Sequence, residues 1–167
     1  MSTIDPRDHA FIQGCTNPAL QPLNDLMIAA EQAGKTGADL EAVEDQWTKQ
    51  AGLKSFDAAV ADAIKAGVHV NKEGLLEQYQ KQSKGKSNAE CRALAKHLTG
   101  VDVYFDWDSP RTREGYYRYE GGTQPSVVRA HAFAPYADLI WMESKKPDYE
   151  QAKAFADGVH AVWPEQK

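Results

Sequence analysis

The chain has 167 residues, of which 42% are hydrophobic and 26% charged, and its formal net charge is −5. A chain of this length can bury a core of its own, as one domain or as two small ones. It contains no basic block, so neither nucleic acid nor an anionic membrane is a predicted partner. It also lacks the apolar run of about 18 residues that a membrane-spanning helix needs. The opening sequence MSTIDPRDHAF shows no targeting signal.

Residues 20–100 show the hydrophobic periodicity of short α-helices. The clearest case is 55–66, where apolar residues recur at helical spacing between a serine cap and Gly67. Residues 87–99 open with the capping box Ser87-x-x-Glu90. The predicted helices are 24–33, 39–51, 55–66, 71–82 and 87–99. Because the loops between them are short, the sequence predicts a small helical bundle.

The pattern changes after residue 100. Residues 101–107 alternate and are rich in aromatic side chains, which predicts a strand. Thr123 is predicted to cap a helix that runs to about residue 134, and residues 148–162 predict a further helix. Between these helices, residues 138–143 (DLIWME) form an apolar run of strand length. Helix, buried strand and helix in this order are typical of a parallel α/β protein, and a lone buried strand needs neighbours, so we expect part of a larger fold.

The cysteines and histidines indicate no reactive centre. Cys15 and Cys91 lie far apart, and since no secretory signal is visible, we expect free thiols rather than a disulfide. The five histidines lack the spacing of zinc ligands and are interpreted as ordinary structural or surface residues. They are His9, His69, His97, His131 and His160.

Two carboxylates in the segment FDWDSPRTREGYYRY leave two interpretations open. Asp106 and Asp108 would form a hard-metal site if they met on one strand face. Alternatively, they pair with Arg111, Arg113 or Arg118, and the number of nearby positive charges favours these ion pairs. A calcium loop is excluded, because Arg111 occupies the sixth position, where the sharp turn needs glycine.

Glu143 is the candidate site residue. It ends the apolar run 138–143, and in parallel α/β folds the carboxyl ends of the strands hold the chemistry. The alternative is an ion pair with Lys145 or Lys146, without a role in a site.

Three long blocks of the sequence support a family resemblance. Residues 2–32 are STIDPRDHAFIQGCTNPALQPLNDLMIAAEQ, residues 105–124 are FDWDSPRTREGYYRYEGGTQ, and residues 134–167 are APYADLIWMESKKPDYEQAKAFADGVHAVWPEQK. All three resemble the isocitrate lyase family, in its fungal form. The resemblance covers essentially the whole chain.

The resemblance implies an α/β fold: a partial (β/α)8 TIM-type barrel with a helical insertion domain. Residues 1–14 and 110–167 would be barrel segments, and residues 15–109 the insertion. It also implies Mg²⁺-dependent cleavage of isocitrate to succinate and glyoxylate, in the glyoxylate bypass of the tricarboxylic acid cycle, by a homotetramer. A 2-methylisocitrate lyase and a non-enzymatic helical interaction module built on residues 15–109 remain as alternatives.

Of the family's active-site residues, only the glutamate of its Trp-Met-Glu strand end carries over, as Glu143. In the family it lies beside the metal and the glyoxylate half of the substrate. The family's catalytic cysteine lies in a Lys-Lys-Cys-Gly-His signature, but Cys15 is followed by Thr16 and Cys91 by Arg92. Neither cysteine is therefore assigned that role, and no catalytic residue or direct Mg²⁺ ligand is expected in this chain.

We therefore expect an internal fragment that is inactive by itself. The family resemblance implies a glyoxysome or peroxisome, or else the cytoplasm, as its location. The closing tripeptide Glu165-Gln166-Lys167 is not a peroxisomal signal.

Overall fold

The computed structural model describes residues 9–167, and α-helices dominate that part of the chain. The helices are α1 Leu23–Gln32, α2 Ala38–Ala51, α3 Phe56–Ala66, α4 Lys72–Gln82, α5 Asn88–Thr99, α6 Thr123–Phe133 and α7 Tyr149–His160. Short 3-10 helices span His9–Phe11 and Ala134–Tyr136. Within residues 9–167, no helix combines the length and the apolar character that crossing a membrane requires.

Local capping chemistry explains where several helices begin. The Ser87 side chain accepts a hydrogen bond from the backbone N–H of Glu90, and the Glu90 carboxylate accepts one from the N–H of Ser87. This is the predicted capping box. Ser55 and Asn71 cap α3 and α4 through single side-chain bonds. All the predicted helices are confirmed to within two residues at each end.

The start of α6 differs from the prediction. Thr123 is the first residue of the helix rather than its cap, and Gly122 occupies the cap position with φ +127°. Because Gly122 has no side chain, it makes no side-chain capping bond. The positive φ is one that glycine adopts without a steric penalty.

The chain divides into two compact units, the first ending at Tyr119 and the second beginning at Glu120. The described part of the first, residues 9–119, contains α1–α5 and is called the helical unit here. The second, residues 120–167, contains α6 and α7 and is called the C-terminal unit. The predicted domain boundaries after residues 14 and 109 stay predictions.

Two hydrophobic clusters form the core of the helical unit. The larger cluster packs α3, α4 and α5 around side chains such as Val60 and Ile64, and Phe105 joins it from the segment after α5. The smaller cluster packs α1 against α2 around Trp47, whose indole N–H donates to the carbonyl oxygen of Gln21 at 2.8 Å. Apolar burial on this scale is the main stabilising term of a small domain.

An extended stretch, residues 12–16, closes the helical unit. It forms antiparallel bridges to three separate parts of that unit: Ile12 with Tyr119, Gly14 with Lys54, and Cys15 with Asp106. Residues 12–16 and these partners are called the neck. The prediction of a strand at residues 101–107 is wrong, because in the described chain only Asp106 of that segment bridges to a partner.

In the C-terminal unit, α6 packs closely against α7. A Cβ atom added at Gly158 would lie 2.8 Å from a methyl group of Val127, so glycine permits this approach of the two helices. His131 of α6 contacts the carbonyl oxygen of Gly158 through Nε2 at 2.8 Å.

Residues 138–143 form neither a helix nor a strand in the described chain, so the prediction of a buried strand is not realised. The N–H of Ile140 donates to the carbonyl oxygen of Lys167 at 2.7 Å, while Leu139 is 63% and Trp141 73% exposed. A strand becomes buried only when neighbouring strands and helices cover it. Residues 9–167 supply no such neighbouring strand.

Candidate functional site

Glu143 lines a cleft of about 480 Å³ in the C-terminal unit. The cleft lies where α6 begins, where the apolar run 138–143 ends, and where α7 begins. Gly122 and Ser126 contribute from the start of α6, and Gln151 contributes from the first turn of α7. The candidate residue of the sequence therefore lies in a concavity formed by three chain segments.

Glu143 also borders a second, smaller cleft of about 230 Å³. Ser126 and Met142 line both clefts as Glu143 does, but the walls of the second include the aromatic side chains of Phe133 and Trp141. The carboxylate residue thus lies between a cleft lined by charged side chains and a cleft lined by aromatic ones. Clefts that combine apolar walls with a few polar groups are the usual form of small-molecule sites.

The alternative interpretation of Glu143 required an ion pair with a neighbouring lysine. Among the ion pairs of the described residues, none joins Glu143 to Lys145 or Lys146. Both lysines line the larger cleft together with Glu143 and Ser144. With Asp148 and Ser126, which also line it, the cleft offers two carboxylates, two ammonium groups and two hydroxyls, and these groups can bind a small polar molecule. The role of Glu143 in a site stays a prediction.

Sequence reasoning did not select Gly122, Ser126 and Gln151 as companions of Glu143. The sequence contains a local signal near two of them. The glycine pair that includes Gly122 marks the break before α6, and Asp148, a typical cap residue, marks the start of the helix that contains Gln151. The Asp148 carboxylate accepts a hydrogen bond from the N–H of Gln151 at 3.0 Å, which fixes the first turn of α7. The proximity of the two helix starts depends on packing, which no local pattern shows.

Asp106 and Asp108 both contribute to local structure. The Asp106 carboxylate accepts hydrogen bonds from the N–H of Asp108 at 2.9 Å, the N–H of Ser109 at 3.3 Å and the Ser109 hydroxyl. Burial opposes ionisation of Asp106, but these hydrogen bonds outweigh it and lower the pKa of the carboxyl group. Asp108 pairs with Arg111 at 3.3 Å, as one of the two interpretations predicted. Over residues 9–167, no group of three or more His, Cys, Asp or Glu side chains is placed to hold a metal.

The remaining arginines of this segment join it to the first two helices. Arg113 pairs with Glu31 of α1, and Arg118 pairs with Glu44 of α2. Arg118 also donates through Nε to the carbonyl oxygen of Pro110 at 3.0 Å. These contacts indicate a structural role for the segment 105–119 within the helical unit.

Both cysteines are free and buried, so the prediction of free thiols is confirmed. Burial is the largest cause that raises the pKa of the Cys15 thiol, and it likewise raises the pKa of the Cys91 thiol. A buried thiol with a raised pKa is a poor nucleophile, because the thiolate is the reactive form. That neither cysteine has a catalytic role stays a prediction.

The comparisons with known proteins agree on one family. The model of the isocitrate lyase family matches residues 1–167. The chain is 51% identical to isocitrate lyase of Kluyveromyces lactis, over 98% of this chain and 31% of the relative. It is 47% identical to isocitrate lyase of Saccharomyces cerevisiae, over 99% of this chain and 30% of the relative.

A third relative carries a different name. Mitochondrial 2-methylisocitrate lyase of Hypocrea atroviridis is 42% identical, over 98% of this chain and 29% of the relative. The chain spans about three tenths of the length of these curated relatives. The family match nevertheless extends over every residue of the chain, which confirms the resemblance found in the sequence. The chain therefore belongs to the isocitrate lyase family, a family of carbon–carbon lyases.

Proposed function

We propose that this chain is part of an isocitrate lyase, which cleaves isocitrate to succinate and glyoxylate in the glyoxylate bypass. The observation that carries the proposal is the similarity of the whole chain to two yeast isocitrate lyases, at 51% and 47% identity. A 2-methylisocitrate lyase is the second candidate, supported by the relative at 42% identity. The higher identities favour isocitrate as the substrate.

The chemistry of the reaction requires more groups than the described cleft offers. Cleavage needs a base for the 2-hydroxyl, a cation beside the developing carbonyl of glyoxylate, and an acid that protonates the succinate carbanion. In the C-terminal unit, Glu143 provides one carboxylate at the cleft. We therefore expect residues 1–167 to be inactive alone, and activity to depend on parts of the family's sequence that this chain does not span.

We also propose that residues 138–143 are a barrel strand in the complete enzyme, which would be a (β/α)8 barrel with a helical insertion. Their apolar composition and the exposure of Leu139 and Trp141 support this, because covering neighbours would bury those side chains. The position of Glu143 supports it as well. In such barrels, the carboxyl ends of the strands and the loops before the helices form the active-site face.

Mg²⁺ is the proposed metal of the complete enzyme. The described residues do not fit it by themselves, because Mg²⁺ takes an octahedral set of oxygen ligands and the two carboxylates of the cleft, Glu143 and Asp148, share it with two lysines. We propose that the direct ligands come from other parts of the enzyme and that Glu143 lies beside them. Assembly as a homotetramer, and a location in the glyoxysome, the peroxisome or the cytoplasm, are likewise proposals drawn from the family.

A segment exchange tests the function. The part of the Kluyveromyces lactis isocitrate lyase that aligns with residues 1–167 would be replaced by this sequence, and the purified chimera assayed on both substrates. We expect cleavage of isocitrate. A preference for 2-methylisocitrate would favour the second candidate. A folded chimera inactive on both substrates would overturn the enzymatic proposal and favour the helical interaction module.

The same chimera tests the candidate site residue. Glu143→Gln keeps the size of the side chain and removes its charge, and we expect kcat to fall about 10- to 100-fold, as for the loss of a group that lies beside the metal ligands. Glu165→Gln is the matched control, because Glu165 is exposed in the same unit and lies outside both clefts. If both variants keep the parent activity, Glu143 has no role in the site.

A further inference from the structure

The neck holds the two chain ends of the helical unit side by side. The contacts that do so are the backbone hydrogen bond from the N–H of Gln13 to the carbonyl oxygen of Arg118 (2.9 Å) and the bridge of Ile12 with Tyr119. The other backbone hydrogen bonds of the neck join Gly14 with Lys54 (2.9 and 3.3 Å) and Cys15 with Asp106 (2.7 and 3.0 Å), which lie further inside the unit. The incoming chain and the outgoing chain are therefore paired with each other before the chain continues to residue 120. Domains whose ends lie close together can sit within a larger protein without reorganising it.

The neck also connects the two hydrophobic clusters of the helical unit. Cys15 belongs to the smaller cluster, whereas Phe105, adjacent to Asp106, belongs to the larger one. A Cβ atom added at Gly14 would lie 2.6 Å from the Phe105 ring, so the backbone of the neck lies directly on that side chain. Arg92 of α5 donates to the carbonyl oxygen of Phe105, so the segment that contacts Gly14 is also hydrogen-bonded to α5.

We propose that residues 12–119 form an autonomous folding module closed by the neck, which keeps its structure when residues 120–167 unfold. The internal ion pairs of Arg113 and Arg118 with α1 and α2 support this, since they attach the outgoing segment to the helices of its own unit. The inference does not depend on the proposed enzymatic activity. It concerns only which parts of the chain unfold together.

The two cysteines provide natural probes of opening in the complete chain. Cys15 lies in the neck and Cys91 lies in the core between α3, α4 and α5, and both are at most 1% exposed. A buried thiol reacts with a labelling reagent only when its surroundings open. Mass spectrometry of the labelled peptides distinguishes the two sites without further mutation.

Two glycines allow a matched comparison in the 167-residue chain. Gly14 in the neck and Gly158 in α7 each have a neighbour that would lie within 3 Å of an added Cβ atom. Gly14→Val should raise the labelling rate of Cys15 about tenfold or more, because overpacking commonly costs enough stability for that factor. Gly158→Val should speed amide exchange in α6 and α7 but change the labelling of both thiols by no more than about twofold. Gly121→Ala is the control, because a Cβ atom added there has no neighbour within 4 Å. It should change neither the labelling rates of the two thiols nor the amide exchange of α6 and α7.

Two outcomes would overturn the proposal. If Gly158→Val accelerates both thiols as strongly as Gly14→Val does, the two units unfold together. If Gly14→Val leaves the labelling of Cys15 unchanged, the neck does not close the module. Should Gly14→Val fail to fold, Gly14→Ala makes the same close contact with a smaller group, and the same comparison applies.

Discussion

The helical unit and the C-terminal unit bury their large apolar side chains to very different degrees. Trp47 and Ile64 of the helical unit are at most 2% exposed, whereas Trp141 and Tyr149 of the C-terminal unit are 73% and 75% exposed. Both units contain well-formed helices of 10 to 14 residues. Regular secondary structure alone therefore does not decide whether a region encloses a core.

The number of elements that pack together accounts for the difference. Five helices and the neck surround two clusters in the helical unit, while the C-terminal unit has two α-helices and the segment 138–143, which forms no strand. Too few layers leave apolar faces open to water. Under the proposed function, those open faces are the ones that the remainder of the enzyme would cover.

Truncation of a buried and of an exposed side chain should give the largest contrast. Ile64→Ala removes a fully buried side chain from the larger cluster and should lower the free energy of unfolding by about 2–5 kcal/mol. Leu139→Ala, in the C-terminal unit, should change it by less than about 0.5 kcal/mol. Urea unfolding followed by circular dichroism measures both. Equal losses would contradict the contrast between the units.

A hydroxyl group provides the next contrast. Tyr79 is buried and donates to the Asp57 carboxylate at 2.6 Å, so Tyr79→Phe should cost about 1.5 kcal/mol. Tyr149→Phe is the exposed control and should cost almost nothing. Burial, followed by the hydrogen bond to Asp57, raises the pKa of Tyr79 above its ordinary value.

This raised pKa fixes the sign of a pH effect. The stabilisation is complete below the unfolded pKa of about 10 and is lost as the pH rises through the higher folded pKa. Tyr79→Phe should therefore flatten the decline of stability above about pH 10, relative to the Tyr149→Phe variant. Parallel curves for the two variants would show that the Tyr79 hydroxyl does not contribute.

The smallest expected effect is at the neck. Asp106→Asn removes the charge that accepts hydrogen bonds from Asp108 and Ser109 and should cost about 1 kcal/mol at neutral pH. Because the pKa of Asp106 is lowered, its contribution is present above the unfolded pKa of about 4 and is lost as the pH falls through the folded value. Asp102→Asn, which breaks an exposed ion pair with Lys96, should cost less. Thermal unfolding between pH 2 and 7 compares the two variants. An equal loss of stability in both would contradict the stabilising role of the Asp106 carboxylate.

Local patterns were sufficient for the helices but insufficient for the extended segments. The cap at Ser87 and the apolar spacing of α3 act over a few residues, so the sequence shows them directly. The neck joins residues such as Ile12 and Tyr119, which are distant in the chain, and single bridges leave no alternating pattern. Residues 138–143 have a strand's composition, but strand pairing needs a partner that no local pattern supplies.

The candidate site was predictable to a similar extent. Glu143 could be selected because it ends an apolar run, and the structure places it at a cleft. Its companions Gly122 and Gln151 could not, because they are distant in the sequence and come to one cleft only in the folded unit, where α6 packs against α7.

The burial of Trp47 and the exposure of Trp141 give the chain an intrinsic optical signal. Of its four tryptophans, Trp47 and Trp107 lie in the helical unit, and Trp141 and Trp163 lie in the C-terminal unit. An indole shielded from water emits at shorter wavelength and resists collisional quenchers, whereas a hydrated indole is quenched readily. The fluorescence that remains when iodide is added should therefore report on Trp47, and the fluorescence that iodide quenches should report on Trp141. A single emission spectrum then monitors each unit separately.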